Sequence, residues 1–157
     1  MKIHLELNEN EPGDISYHSY GSFTFEQDKI SFSNKGKRVQ GCMLLISLPE
    51  LFHRLVRVKR GEIRKFVFDP LDCSYELLFE RRKDQLVISE FSHQKMICGI
   101  DEFAEELYQA VMEMFLRYDL QISELGSGRE DFFESWIEFK AEFSFSDPEK
   151  DLEHGWA

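Results

Sequence analysis

Short segments in which apolar and polar residues alternate recur along the chain before residue 100, and they constrain the fold more than any other feature. Such alternation is typical of β-strands that bury one face, particularly where turn residues bound each segment. The connections are short, as at 69–72, so consecutive strands should pair antiparallel in hairpins and a meander. The segments lie at 2–7, 22–27, 30–33, 62–68, 74–80, 85–91 and 95–98.

A more continuous apolar run at 39–47 predicts a more central strand. Ser47 then predicts the start of a helix over 48–59, because Glu50 follows it at capping-box spacing and Pro49 is tolerated in a first turn. Arginines and lysines occupy the polar side and the C-terminal end of this helix, where cations favour the helix dipole. Gly61 is predicted to end it.

The clearest helix is predicted from Asp101, as its cap, to about Tyr118. Apolar residues recur there at helical spacing, and glutamates crowd the first turn, where the helix dipole favours negative charge. The segment at 130–145 fits two structures: Ile137 to Phe145 alternates as a strand would, whereas a helix over about 130–143 gathers its aromatic residues into one stripe. Glu, Lys and Ala favour the helix. Either structure gives one aromatic face, as core or interface, and one acidic face.

These elements predict an α+β fold. A largely antiparallel sheet of about six to eight short strands packs against two C-terminal helices, and one further helix is inserted mid-chain. A length of 157 residues suits a single globular domain over 1–157, and we expect the polar residues 148–157 to form a loose C-terminal tail. The chain is 42% apolar and 14% aromatic, which excludes a disordered protein.

No motif for catalysis, nucleotide binding or metal binding stands out. The three cysteines and five histidines lack the paired spacing of structural zinc sites. The glycine-containing segment at 126–130 lacks the lysine of a phosphate-binding loop, and no nucleophile elbow occurs in the sequence. We therefore predict no catalytic residue, no cofactor and no metal ligand. An odd cysteine count, no apparent signal peptide and no apolar run of membrane-span length predict a cytoplasmic protein without a membrane partner.

Charge is distributed unevenly within a net charge of −11. Residues 101–157 carry 4 basic and 16 acidic side chains, whereas residues 35–65 carry 9 basic and 2 acidic ones. The basic zone 35–65 could follow a phosphate backbone, but the negative charge of the whole chain repels nucleic acid, so we do not expect nucleic-acid binding. We expect the zone instead to pair with the acidic C-terminal third or to form a solvated face.

An acidic region rich in aromatic residues is suited to a basic protein partner, because carboxylates accelerate association and buried aromatic anchors hold a complex together. The predicted contact residues are Glu130, Asp131, Glu134, Trp136, Glu138 and Glu142, with Asp147 and Trp156 as outlying members.

In composition and architecture the chain resembles the small acidic immunity proteins with which bacteria neutralise toxic nucleases. The resemblance rests on one domain, uneven charge and the lack of a catalytic motif. It implies a non-catalytic inhibitor whose carboxylates mimic phosphates and mask the partner's active site. Two alternatives stay open: a small cytosolic enzyme with a site dispersed over the sheet, and a homo-oligomeric structural subunit.

Overall fold

A computed structural model gives the fold for residues 1–8, 14–35, 41–91 and 93–145. The predicted α+β class, with antiparallel strands, a mid-chain helix and two C-terminal helices, is confirmed. In chain order the elements are β1 Lys2–Leu7, β2 Tyr20–Gln27, β3 Ile30–Ser33, β4 Cys42–Met43, α1 Leu44–Lys59, β5 Lys65–Phe68, β6 Leu77–Arg82, β7 Gln85–Ser89, β8 Lys95–Gly99, α2 Ile100–Arg117 and α3 Arg129–Glu142.

The strands divide between two antiparallel sheets. The first has the order β1-β2-β3, with the short β4 pairing with β2, and the second is the meander β5-β6-β7-β8. Aromatic side chains on the inner faces of the two sheets meet, with ring centroids 6.4 Å apart for Phe25 and Phe79. Phe103 of α2 lies edge-on to both rings, at 5.5 and 5.4 Å. The core therefore lies where both sheets and α2 converge.

The two sheets are also joined by the side chain of Gln27 at the end of β2. Its amide donates to the carbonyl of Ile97 at 2.7 Å and accepts from the N–H of Ile97 at 3.0 Å. Ile97 lies in β8, an outer strand of the second sheet. The amide thus occupies a backbone donor and acceptor that an edge strand would otherwise leave open for another strand.

The prediction of a central strand at 39–47 is wrong for most of its length. Only Cys42 and Met43 are extended, and the chain is helical from Leu44 onward; residues 39–40 lie outside the described part of the chain. A continuous apolar run is as compatible with a buried helix as with a buried strand, and here both Leu44 and Leu45 are fully buried in α1.

Ser47 lies inside α1 and does not cap it, so the predicted cap is wrong. Its hydroxyl donates to the carbonyl of Met43 at 2.7 Å and accepts from the N–H of Leu71 at 2.9 Å. Glu50 makes no capping box with it. Instead the Glu50 carboxylate pairs with Arg54 one turn later, at 2.6 Å. The predicted end is confirmed: α1 stops at Lys59, close to Gly61 with φ 76°.

Helix α2 is confirmed, but its N-cap lies two residues earlier than predicted. Gly99 is its N-cap, and the Glu102 carboxylate accepts from the Gly99 N–H at 3.2 Å, so Asp101 lies within the first turn and is not the cap. At 130–145 the helical alternative is correct, since α3 spans Arg129–Glu142. Its aromatic stripe belongs to the core, because Phe132, Trp136 and Phe139 are each fully buried.

Candidate functional site

Helix α3 is fixed to α1 by a cluster of aromatic rings centred on Phe52. The centroid of Phe52 lies 5.7 Å from that of Phe132, 5.4 Å from Trp136 and 5.0 Å from Phe139. On its other side the Trp136 indole stacks on Tyr108 of α2 at 5.4 Å. Trp136 therefore anchors α3 in the core and, in this packing, offers no surface to a partner.

Two of the predicted acidic contact residues are paired within the fold. Arg60 at the end of α1 contacts Glu138 through Nη1 at 3.2 Å and Glu142 through Nε at 2.9 Å. Lys59 similarly pairs with Asp101 at 2.6 Å. The expectation that the basic zone pairs with the acidic C-terminal third is met only at its Lys59–Arg60 end, because Lys35, Arg54, Arg57 and Arg64 pair with carboxylates elsewhere. The Arg60 contacts also neutralise much of the charge at the C-terminal end of α3.

At the N-terminal end of α3 the carboxylates are exposed and far less compensated. Among the residues that the structure describes, neither Asp131 nor Glu134 forms an ion pair, and Glu130 has only a 3.9 Å contact with the adjacent Arg129. The uncompensated negative charge of α3 is therefore concentrated in its first two turns.

These carboxylates border an open groove of about 410 Å³ between α1 and α3, which we call the acidic groove. Among the described lining residues four are acidic, and His53 is the one that can carry positive charge. Glu50 contributes to the groove from α1, and its carboxylate is paired with Arg54. The Nδ1 of His53 lies 3.8 Å from a carboxylate oxygen of Glu138. The lining residues within the described part of the chain are Tyr17, Ile46, Pro49, Glu50, His53, Asp131, Glu134, Ser135 and Glu138.

The position of Tyr17 in the groove is set by the loop that begins α3. Its N–H donates to the carbonyl of Leu125 at 2.9 Å, and its ring lies against Gly128. A Cβ on residue 128 would come within 2.4 Å of that ring, and φ there is 92°, so both space and backbone conformation require glycine. Burial, with a smaller effect of the Asp131 charge, raises the pKa of Tyr17 to about 12.

The groove combines carboxylates with an apolar wall formed by Ile46 and Pro49, both partly buried. An arginine or lysine side chain needs this combination, because its aliphatic stem packs on apolar surface while its charged head bonds to carboxylates. Within the described ranges no three His, Cys, Asp or Glu side chains come together as a metal site. The arrangement is chemically suited to holding cationic groups.

Three of the predicted contact residues, Asp131, Glu134 and Glu138, line the groove, while Glu130 lies beside them on α3. Glu142 lies at the far end of α3, and Trp136 is in the core. Asp147 and Trp156, and residues 36–40 of the basic zone, lie outside the described residues.

Sequence reasoning missed the half of the groove contributed by α1 and by Tyr17. The polar side of α1 was predicted, but which part of that side faces α3 depends on the tertiary packing around Phe52. No local pattern in the sequence indicates that packing.

Comparison with protein-family models, curated proteins and solved structures finds no match to this chain. None of the helices in the described part of the chain has the length and apolar character needed to cross a membrane.

Proposed function

We propose that this chain is a non-catalytic protein-binding module whose acidic groove receives cationic side chains of a basic partner. The observation that carries the proposal is the position of Asp131 and Glu134. Both are exposed at the groove and have no ion pair among the described residues. Carboxylates left without internal partners remain available to a cation from outside.

Electrostatics favour such a partner at two ranges. At long range, the net charge of −11 attracts a basic protein and speeds its encounter, an effect that salt suppresses. At short range, charge-assisted hydrogen bonds to a carboxylate hold an arginine in a defined geometry. The apolar wall at Ile46 and Pro49 adds burial of the side-chain stem. The net charge of the chain thus favours a rapid approach, and the groove offers a specific contact.

A toxic nuclease of the kind that immunity proteins neutralise is a partner of this chemical class. Such an enzyme uses basic residues to bind the phosphates of its substrate, and carboxylates on a rigid helix can occupy the same positions. Blocking the active site in this way needs no catalytic group on the inhibitor. The proposal that the partner is a toxic nuclease rests on the acidic charge of the chain and on its resemblance to immunity proteins in composition and architecture.

The test is affinity capture from the native cytosol and from the products of neighbouring genes, with washes of increasing salt. Three baits are compared: the wild-type chain, an Asp131→Lys/Glu134→Lys variant, and a control variant, Glu105→Lys/Glu113→Lys. The control changes the net charge equally at two exposed positions of α2. None of the four carboxylates has an ion pair within the described residues and all four are exposed, so the variants should remain folded; Asp131→Lys should cost about 0.3–1 kcal/mol, because Asp131 lies in the first turn of α3.

We expect the wild type and the control to retain a basic protein at low salt and release it at high salt, and the groove variant to lose it. If the partner is an enzyme, adding this chain should abolish its activity. Equal capture by all three baits would contradict the proposal. Recovery of only further copies of this chain, with a mass in solution above 18.6 kDa, would favour the structural subunit instead.

A further inference from the structure

Two cysteines that are distant in the sequence meet at the edge of the first sheet. Cys42 lies in β4, and Cys73 lies in the loop between β5 and β6. The two thiols lie close enough for each to affect the pKa of the other. Both are free thiols.

The loop that carries Cys73 is held against β4 by contacts independent of the thiols. The N–H of Met43 donates to the carbonyl of Leu71 at 3.0 Å, and the N–H of Leu71 donates to the Ser47 hydroxyl at 2.9 Å. The hydroxyl of Tyr20, which is paired with Met43 across β2 and β4, donates to the Asp72 carboxylate. The two thiols are therefore brought together by the fold.

The two thiols differ in access. Cys42 is fully buried, whereas Cys73 is partly exposed and lines an open groove of about 470 Å³ formed by residues 69–74. Burial raises the pKa of Cys42 to about 12 and also raises the pKa of Cys73. A reagent from solution can thus reach Cys73 directly, with Cys42 behind it. Both thiols react slowly near neutral pH, because thiolate is the reacting form.

We propose that Cys42 and Cys73 are a reversible oxidation site that closes to an intramolecular disulfide by exchange with a small-molecule disulfide. The Cys73 thiolate attacks one sulfur of the small disulfide, forms a mixed disulfide and releases one small thiol. The Cys42 thiolate then attacks the Cys73 sulfur and releases the second. The two cysteines lose two electrons, the small disulfide gains them, and the two protons end on the two released thiols.

The consequence of the bond is mechanical. It would fasten the 69–74 loop covalently to β4, immediately before the start of α1, and close a loop of roughly 30 residues, which restricts the unfolded chain. The stabilisation expected for a loop of that length corresponds to a rise in melting temperature of roughly 10 °C for a domain of this size. The inference does not depend on the proposed function.

The experiment treats the full chain with oxidised glutathione under native conditions, at mildly alkaline pH. We expect the intact mass to fall by two hydrogen atoms, a cross-linked peptide pair containing Cys42 and Cys73, a melting temperature higher by roughly 10 °C, and full reversal by dithiothreitol. Cys98→Ser should behave as the wild type, because Cys98 lies elsewhere, in β8. Cys73→Ser should show none of these changes.

Cys73 is partly exposed, so its serine variant should fold, and the comparison does not depend on a substitution at the buried Cys42. Cys42→Ala gives a second test: it should stop at the mixed disulfide on Cys73. A wild-type chain that also stops at the mixed disulfide, or that forms a covalent dimer or a bond to Cys98, would overturn the proposal.

Discussion

Replacing Phe52 with alanine should destabilise the protein more than most single substitutions, because this ring joins α1 to α3. Phe52 is fully buried and contacts three aromatic rings of α3, at centroid distances of 5.7, 5.4 and 5.0 Å. Without it, the stripe that holds the acidic helix in place faces a cavity. The integrity of the acidic groove therefore depends on this contact.

The expected loss in the free energy of unfolding is about 4–5 kcal/mol. Removing a fully buried phenylalanine costs about 3–5 kcal/mol, from lost transfer free energy and the cavity that remains. Each aromatic pair adds about 0.5–1.5 kcal/mol beyond burial, which places Phe52 in the upper part of that range. Since the free energy of unfolding of a native protein is about 5–15 kcal/mol in total, the variant should remain folded but keep only a small part of its stability.

Urea unfolding followed by circular dichroism measures this loss, with Phe91→Ala as the matched control. Phe91 is 61% exposed, so its truncation should change the stability by no more than about 0.5 kcal/mol. The packing of α3 on α1 would be refuted by a loss below about 1.5 kcal/mol at Phe52, well under the range for a buried ring. Equal losses at the two positions would refute it as well.

Four further predictions concern single side chains. Tyr118→Phe should cost about 1–3 kcal/mol in urea unfolding, because the buried Tyr118 hydroxyl accepts from the N–H of Leu7 at 3.0 Å and donates to its carbonyl at 3.1 Å; no loss would show that these bonds do not form. The pKa of Tyr17 is raised from a usual 10.0 to about 12, so the folded state keeps the phenol proton to higher pH than the unfolded state does. The contribution of this proton to the free energy of unfolding is therefore complete below pH 10 and is lost as the pH rises towards 12. Asp131→Asn should lower the pKa of Tyr17 without restoring its usual value, since burial is the larger cause; an unchanged absorbance titration would contradict the effect of the Asp131 charge. Arg60→Ala should cost no more than about 1 kcal/mol in stability, because its ion pairs are exposed, yet it should strengthen capture of a basic partner by releasing two glutamates; weaker capture would show that Arg60 itself contacts the partner.

The elements that could be predicted from sequence are those with a sustained period. The meander strands and α2 alternate or repeat over enough residues to fix their type, and the turn residues between the strands indicate antiparallel pairing of neighbours. The division of the strands between two sheets was not predicted, because it depends on long-range contacts. The 39–47 run has no such period, so its assignment depended on tertiary burial. Ser47 illustrates the same limit: its hydroxyl is bonded to Met43 and Leu71, and the second of these is a long-range contact that no capping rule contains.

The candidate site divides in the same way. The acidic face of α3 follows from the helical spacing of its carboxylates, and this face is half of the groove. The α1 half depends on how α1 and α3 cross. That crossing is set by contacts between aromatic residues such as Phe52 and Phe132, which are distant in the sequence and come together only in the folded chain. Predicting Trp136 as a contact residue had the same origin, since periodicity identifies a stripe but not whether it faces the core or a partner.

The measurement that tests the acidic groove most directly is an amide NMR titration of the full chain with a hexa-arginine peptide as the cationic probe. The account predicts that the largest shift changes fall on residues 46–53 and 131–138. It also predicts that they disappear in Asp131→Lys/Glu134→Lys and persist in Glu105→Lys/Glu113→Lys. Changes spread evenly over the exposed carboxylates of α2 and α3, or undiminished in the groove variant, would contradict the assignment of the groove as the binding site.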